Sequence, residues 1–485
     1  MSDGTPSPSG RSRRPVNANY FQFSWLAACL FVGVVSFVLS MFLFKLGHSD
    51  AICVGVLASF TLLCSVLAYK LVQQRSLLVF TPMPWVLLSS GAYFGFGPLL
   101  YFFGAAEAKA YCQAVYPVTV QDILRVTLVN VLGVALVFWV WWWRVKKMVY
   151  VKPKPLSPEA TIAPIFMFYL IGLAPRCLTL LSGLGLITFT VPGFLGWLAM
   201  FTSAGLIFLT TTALLRGGVW WLLFGTMLAL DVAAAMTTFS KFPILLAVLP
   251  CVFGYLLYRP GVRSLRWVIV LLFAVYLASN SYVTYCRNHG LGMSNTMSSR
   301  VHLARSYFDS NEKSEEKNDE QTQNWWSRLN YANVQTFAMK EYDEGTPGDS
   351  FAQSWMAPIP RILWPSKPII ESGANIYEKL TGGETTASFG IGFFAEGYWN
   401  GGWLYVILAS IVIGWLFGTV TRLIIEEQAI GNLWIFPIAL LWIKNGGRVD
   451  GWINVEIVGP AFFTLIYVGL MRFWLPGASA QLRKR

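Results

Sequence analysis

Charge is what this chain has least of. Only 12% of its 485 residues are Asp, Glu, Lys or Arg, about half the share of an ordinary soluble domain. Histidine is scarcer still, with three in all. Neither a His-Glu-x-x-His nor an Asp-x-Asp spacing occurs, so the sequence offers no motif for a metal and none for a cofactor. No Gly-rich phosphate loop or soluble nucleotide-binding unit is present, which argues against nucleotide-sugar chemistry. Seven cysteines are scattered without Cys-x-x-Cys spacing. Cys29, Cys53, Cys64, Cys177 and Cys251 fall inside apolar runs and read as small packing residues, while a Cys112–Cys286 pairing stays open. No internal repeat of the inverted-transporter kind is visible.

What the chain does have is apolar and aromatic. Hydrophobic residues make up 55%, with 21 Trp, 20 Tyr and 35 Phe, a composition suited to helices in a bilayer with aromatic belts at its interfaces. Roughly 20 apolar residues cross a membrane as a helix. Twelve runs qualify: Phe21–Phe44, Ile52–Val72, Trp85–Phe103, Ile123–Trp143, Ile162–Leu181, Phe194–Leu215, Val219–Thr238, Phe242–Tyr258, Trp267–Tyr285, Trp403–Leu423, Leu433–Ile443 and Val455–Phe473. Phe242–Tyr258 and Leu433–Ile443 are short, which predicts broken or tilted helices there. The first run is long enough to read as an anchor rather than a cleaved leader.

The net charge of +12 follows membrane orientation rather than nucleic-acid binding. Arg11, Arg13 and Arg14 precede the first run, and Lys70 and Arg75 follow the second. Arg144, Lys146, Lys147, Lys152 and Lys154 follow the fourth, Arg216 the sixth, and Arg259, Arg263 and Arg266 the eighth. Arg422, Arg472 and the Arg483–Arg485 tail continue the alternation. Basic loops stay cytoplasmic, so both termini are expected inside. The expected organisation is a cytoplasmic N-terminus (1–20), nine helices (21–285), a large periplasmic loop with amphipathic helices (286–402), three helices (403–474) and a basic cytoplasmic tail (475–485).

Most candidates for chemistry lie in that loop. Asp309–Gln323 reads as a solvated tip. Asn324–Tyr342, with Trp325, Trp326, Leu329, Phe337 and Met339, reads as an amphipathic helix on the membrane surface or on the bundle. Outside the loop, Arg176, Lys241, Lys444 and Arg448 fall at the expected outer face. Each reads either as an ion pair with Asp231, Asp450 or Glu456, or as a cation presented to a ligand. Together with Arg287, Arg328, Arg361 and Lys367 they suggest a cationic vestibule for an anionic lipid headgroup, since guanidinium forks and ammonium charges both bind phosphate.

Pro-Arg-Ile-Leu-Trp-Pro-Ser-Lys-Pro (Pro360–Pro368), then Ser388–Trp403 with its Ser-Phe-Gly-Ile-Gly and Glu-Gly-Tyr-Trp-Asn-Gly-Gly-Trp pieces, precede a span. This arrangement resembles the Wzy-type polysaccharide repeat-unit polymerases of the O-antigen polymerase and ligase superfamily. The Ser240–Lys241 turn is similar to that superfamily's Ser-Arg/Lys turn. The resemblance implies an all-α, GT-C-like membrane fold of about 12 helices with one large extracytoplasmic loop, in a bacterial inner membrane. It implies metal-independent transfer of a growing glycan from undecaprenyl diphosphate onto a lipid-linked repeat unit, as in O-antigen or exopolysaccharide synthesis. A ligase of the same superfamily and a lipid-linked oligosaccharide flippase are the alternatives. The bilayer and the undecaprenyl diphosphate-linked oligosaccharide are the expected partners; a chain-length regulator and a separate flippase stay open, and no nucleic acid is expected.

Carried over, Lys241, Arg361 and Lys367 match the family's basic positions, and Glu396 its loop-end carboxylate. The chain departs from the outer-loop pattern of Arg followed eleven residues later by Gly, since Arg361 has Ser372 there and Arg328 has Met339. Glu396 is the expected base for the acceptor hydroxyl, ahead of Glu371 and His289, although it also reads as a helix-entry partner for a nearby cation. Trp364 and Trp399 are the expected sugar-stacking rings.

Overall fold

A computed structural model describes residues 14–15, 23–150, 158–183, 186, 193–259, 262–290, 297–309, 325–357, 359, 364, 366–368, 372–382 and 389–474. The chain is an all-α, multi-pass membrane protein. Among the described residues nine helices are long and apolar enough to cross a bilayer, and three shorter apolar helices accompany them at Phe31–Phe42, Pro243–Tyr258 and Leu433–Gly446. In chain order the main helices are α1 (Phe23–Phe42), α2 (His48–Gln74), α3 (Pro82–Phe103), α4 (Ala106–Val115), α5 (Val120–Val145), α6 (Pro158–Gly183), α7 (Met200–Arg216) and α8 (Val219–Met236). There follow α9 (Lys241–Tyr258), α10 (Val262–Gly290), α11 (Met297–Asp309), α12 (Ala332–Asp343), α13 (Ser372–Thr381), α14 (Phe393–Ala429), α15 (Phe436–Gly446) and α16 (Gly459–Trp474).

The centre of the bundle is the α5–α14 pair. α5 opens on a capping box, with Asp122 N donating to Thr119 Oγ1 at 3.2 Å and Thr119 N to Asp122 Oδ2 at 2.9 Å, which satisfies two amides that a helix start leaves orphaned. Its buried residues Val126, Val129, Gly133, Val137 and Trp141 recur at helical spacing. Against them α14 sets small residues: a β-carbon on Gly414 would lie 2.7 Å from Val137 O, and one on Gly418 2.6 Å from Arg144 Cβ. Lipid chains are as apolar as the helix surfaces, so close backbone approach is what makes such pairs adhere. Trp141 Nε1 adds a hydrogen bond to Thr421 Oγ1 at 3.0 Å.

α14 is helical from Phe393, ten residues before the expected start at Trp403, and it breaks at Gly401 and Gly402. Gly402 has φ +61° and ψ −152°, a conformation that only glycine adopts readily. The piece before the break carries Glu396–Asn400 and packs with the loop segments.

Those segments meet on one face. α12 is buried on most of its circumference, from Ala332 to Met339, so it is wedged into the bundle rather than resting on a surface. Gln335 Nε2 donates to Ile391 O at 3.0 Å, and its Oε1 accepts from Asn130 Nδ2 at 3.0 Å. Arg125 grips Asp343 bidentately, at 2.6 and 3.1 Å, and Lys340 pairs with Asp122 at 3.3 Å. Asn333 Nδ2 donates to Cys112 O at 3.3 Å, tying α12 to α4. The described residues 325–343 and 391–392 therefore share a face with the 104–122 segment and the 447–453 turn, where Asp450 O accepts from Gly392 N at 3.0 Å. At the other end, Arg14–Pro15 pairs antiparallel with Val149–Tyr150, just after α5. Cys112 and Cys286 are both free and buried, so the open pairing is not formed.

Candidate functional site

The shared face is organised by tyrosines. Lys241 begins α9 after an extended Ser240, is 7% exposed, and sets its ammonium 4.7 Å from the centroid of the Tyr276 ring. It also hydrogen-bonds Asn280 Oδ1, one turn further along α10. The Tyr276 hydroxyl donates to Trp325 O at 3.2 Å. That bond fixes the start of a 3₁₀ turn, Ser327–Leu329, which carries Arg328.

Arg328 lies in the field of three phenols, those of Tyr276, Tyr111 and Tyr331. Burial pulls its pKa below the usual arginine value, and the phenols oppose the shift. Among the described residues it has no carboxylate within ion-pair distance, and its buried Nε has no hydrogen-bond partner. An arginine stays charged regardless, so an unpaired cation is held in place by the fold.

Tyr331 leads to the second half of the cluster. Its ring meets Tyr93 edge to face, with centroids 5.3 Å apart, and its hydroxyl donates to Asp450 Oδ2 at 2.7 Å. Burial first, and then the Asp450 charge, push the Tyr331 phenol well above its ordinary pKa, so it remains an O–H donor. Arg448 Nη1 lies 3.3 Å from Glu456 Oε1. Burial works against its charge, but Glu456, Asp450 and the phenols of Tyr331 and Tyr93 more than offset that and raise its pKa. Lys444 sits in reach of Glu456 and Arg448. Four cations (Lys241, Arg328, Lys444, Arg448) and two carboxylates (Asp450, Glu456) thus share one neighbourhood with a net charge of +2.

The other sequence candidates are placed elsewhere. Arg176 is committed to Asp231 at 2.8 Å and donates to Thr202 Oγ1 at 3.3 Å, the ion-pair alternative for that residue. Lys367 donates to Ile359 O at 3.0 Å and Ala357 O at 3.4 Å, stapling its own Pro-rich turn. Exposed His289 stacks on Tyr285 with centroids 4.2 Å apart, its Nδ1 bonded to Tyr285 O at 3.0 Å. Arg361 and Glu371 lie outside the described residues, as does the side chain of Arg287.

Two of the candidates are enclosed by their neighbours. Glu396 is fully buried, with Oε1 accepting from Ser350 Oγ at 2.7 Å and Oε2 from Ile453 N at 2.6 Å. Asn400 Nδ2 closes this network on Ser350 Oγ at 2.8 Å. Each carboxylate oxygen accepts one of these bonds, and together they tie the Ser350 and Ile453 loops to α14. Trp399 is also buried, its Nε1 on Glu341 Oε2 at 3.2 Å and its ring against Trp452 with centroids 6.0 Å apart. A β-carbon on Gly348 would come within 2.3 Å of that ring, so its faces are not open to a sugar. Trp364 stacks on the exposed Trp355 with centroids 5.9 Å apart. Sequence reasoning passed over Tyr93, Tyr276 and Tyr331 altogether and met Asp450 only as an ion-pair partner. The signal available was the Gly-Gly-Arg-Val-Asp-Gly turn (Gly446–Gly451). Among the described residues no three His, Cys, Asp or Glu side chains gather as a metal site.

A protein-family model matches residues 145–433, more than half of the chain. The chain belongs to that family, described as a domain of unknown function (DUF8712). Lys241, Arg328 and Glu396 lie inside the DUF8712 match, whereas Lys444, Arg448 and Asp450 lie beyond its end. No curated protein and no solved structure matches the chain.

Proposed function

We propose that this protein is a metal-independent membrane glycosyltransferase that polymerises undecaprenyl diphosphate-linked oligosaccharide repeat units into O-antigen or exopolysaccharide. The reading takes the fold as GT-C-like, with twelve spans, both termini cytoplasmic and the 286–402 segment periplasmic. The observation that carries it is the convergence of Lys241 and Arg328 on Tyr276, next to Lys444 and Arg448, with a net charge of +2 where the loops meet apolar helices. A diphosphate on a polyprenyl tail needs both halves of such a place. Diphosphate is already a good leaving group, so transfer chiefly requires charge stabilisation as the anomeric C–O bond breaks. Donors aimed at developing negative charge typically contribute a few kcal/mol each in a water-poor site. Exposed Trp355 with Trp364 offers an aromatic surface for the glycan.

The test is reconstitution: purified protein and lipid-linked repeat units, with no nucleotide sugar. A ladder of products supports the polymerase, and unchanged substrate overturns it. Transfer of preformed long glycan to a lipid A core acceptor without a ladder would instead identify a ligase. Lys241→Ala and Arg328→Ala should each abolish the ladder at normal expression. Full ladders in both would remove these residues from the donor site.

A further inference from the structure

We propose that Asp450 takes the proton from the acceptor hydroxyl during glycan transfer, with Tyr331 as its positioning residue; the assignment rests on the polymerase reading above. Three buried carboxylates lie near the shared face, and their hydrogen bonds separate them. Glu396 has both oxygens occupied, by Ser350 Oγ and Ile453 N. Glu456 faces Arg448 at 3.3 Å. Asp450 has Oδ2 on the Tyr331 hydroxyl at 2.7 Å, while its buried Oδ1 has no hydrogen-bond partner among the described residues. A buried acceptor left unsatisfied is costly, and native structures keep few of them.

The carboxylate is held by its backbone as well as by the phenol. Asp450 O accepts from Gly392 N at 3.0 Å, and Gly451 N donates to Arg448 O at 3.0 Å. Gly390 packs so tightly beneath that a β-carbon there would lie 2.2 Å from Asp450 O. Tyr331 joins this fixed carboxylate to Arg328, whose guanidinium feels the same phenol. The proposed base is therefore hydrogen-bonded to a phenol in whose field lies a cation with no ion-pair partner among the described residues. In the step proposed, the acceptor oxygen bonds to the donor's anomeric carbon as its proton passes to Asp450 Oδ1. The anomeric C–O bond to the carrier breaks, and its electron pair leaves with the diphosphate beside Arg328.

Chain extension is measured on full-length protein at saturating lipid-linked donor. Asp450→Asn keeps the size and the Tyr331 contact but removes the base. The expected result is a rate lower by about 10²–10⁴-fold, the usual worth of a general base, with donor KM within a few-fold of wild type. Asp450→Ala should regain part of its rate when formate is added, which a purely structural aspartate would not show. A wild-type ladder from Asp450→Asn overturns the assignment and leaves the polymerase standing. No ladder from the wild-type protein ends both. If Asp450→Asn is not monodisperse, Tyr331→Phe decides: a lower rate at unchanged donor KM supports the positioning role, and an unchanged rate overturns it.

Discussion

Arg328 shows how one residue can be set against its own fold. Its guanidinium is desolvated, its Nε lacks a partner, and no carboxylate answers its charge among the described residues. A buried charge is normally paired because leaving water is expensive, so this cation opposes stability, which fits the ligand-binding role proposed for it. Arg328→Met, which fills the same volume without charge, should raise the apparent melting temperature in detergent, by about 0.5–2 kcal/mol of added stability, while product formation is lost. A lower melting temperature would mean that the native side chain already has a stabilising partner. Residue identity announced the cationic character of this position, yet nothing in the letters separated it from Arg176. Arg176 falls in an expected span and Arg328 in the large loop, and only the neighbouring helix supplies Asp231 to the first of them.

At the scale of elements, length and hydropathy were readily legible, because leaving water for lipid depends on each segment's own composition. The apolar runs Ile52–Val72, Ile123–Trp143 and Val219–Thr238 overlap His48–Gln74, Val120–Val145 and Val219–Met236 closely. The shortness of Leu433–Ile443 was legible too. α15 has eleven residues, about 17 Å of rise, against roughly 30 Å of hydrocarbon. The turn that follows, with Arg448 and Asp450, is thereby left short of the distance a full span covers. What could not be read was the helix before the Gly401–Gly402 break, since Glu396–Asn400 is too polar to extend a span by pattern. The break is itself a testable device. A β-carbon on Gly402 would sit 2.9 Å from the Tyr342 ring, at φ +61°. Gly402→Ala should cost about 1–3 kcal/mol, the range for a residue forced into a glycine-only conformation, and lower the apparent melting temperature. An unchanged melting temperature would show that α14 passes this point without the strain.

For the whole molecule, the proposed orientation rests on basic connections, and the structure adds a parity argument. Arg14–Pro15 pairs with Val149–Tyr150, so these two pairs of residues, before α1 and after α5, share a side. The 104–122, 325–357 and 447–453 segments meet on another face. Reporter insertions check the sidedness in cells. A reporter active only in the periplasm should work when inserted between residues 310 and 324, and a cytoplasm-only reporter when inserted at Lys152. The reverse pattern would turn the protein over and place the cation cluster in the cytosol, away from any periplasmic donor.

Composition and run length were enough to establish a membrane protein, to place its apolar segments, and to point at Lys241, Lys444 and Arg448 as cations near their ends. Each of those properties is local, because every segment meets lipid or water on its own terms. Packing alone decided that Lys241 and Arg328 converge on Tyr276, that Arg176 is neutralised by Asp231, and that Glu396 and Trp399 are sealed inside. It also decided that Asp450 keeps one oxygen without a hydrogen bond among the described residues. Pairing and burial depend on neighbours hundreds of residues away in the chain, and only the folded bundle brings those neighbours within hydrogen-bonding distance.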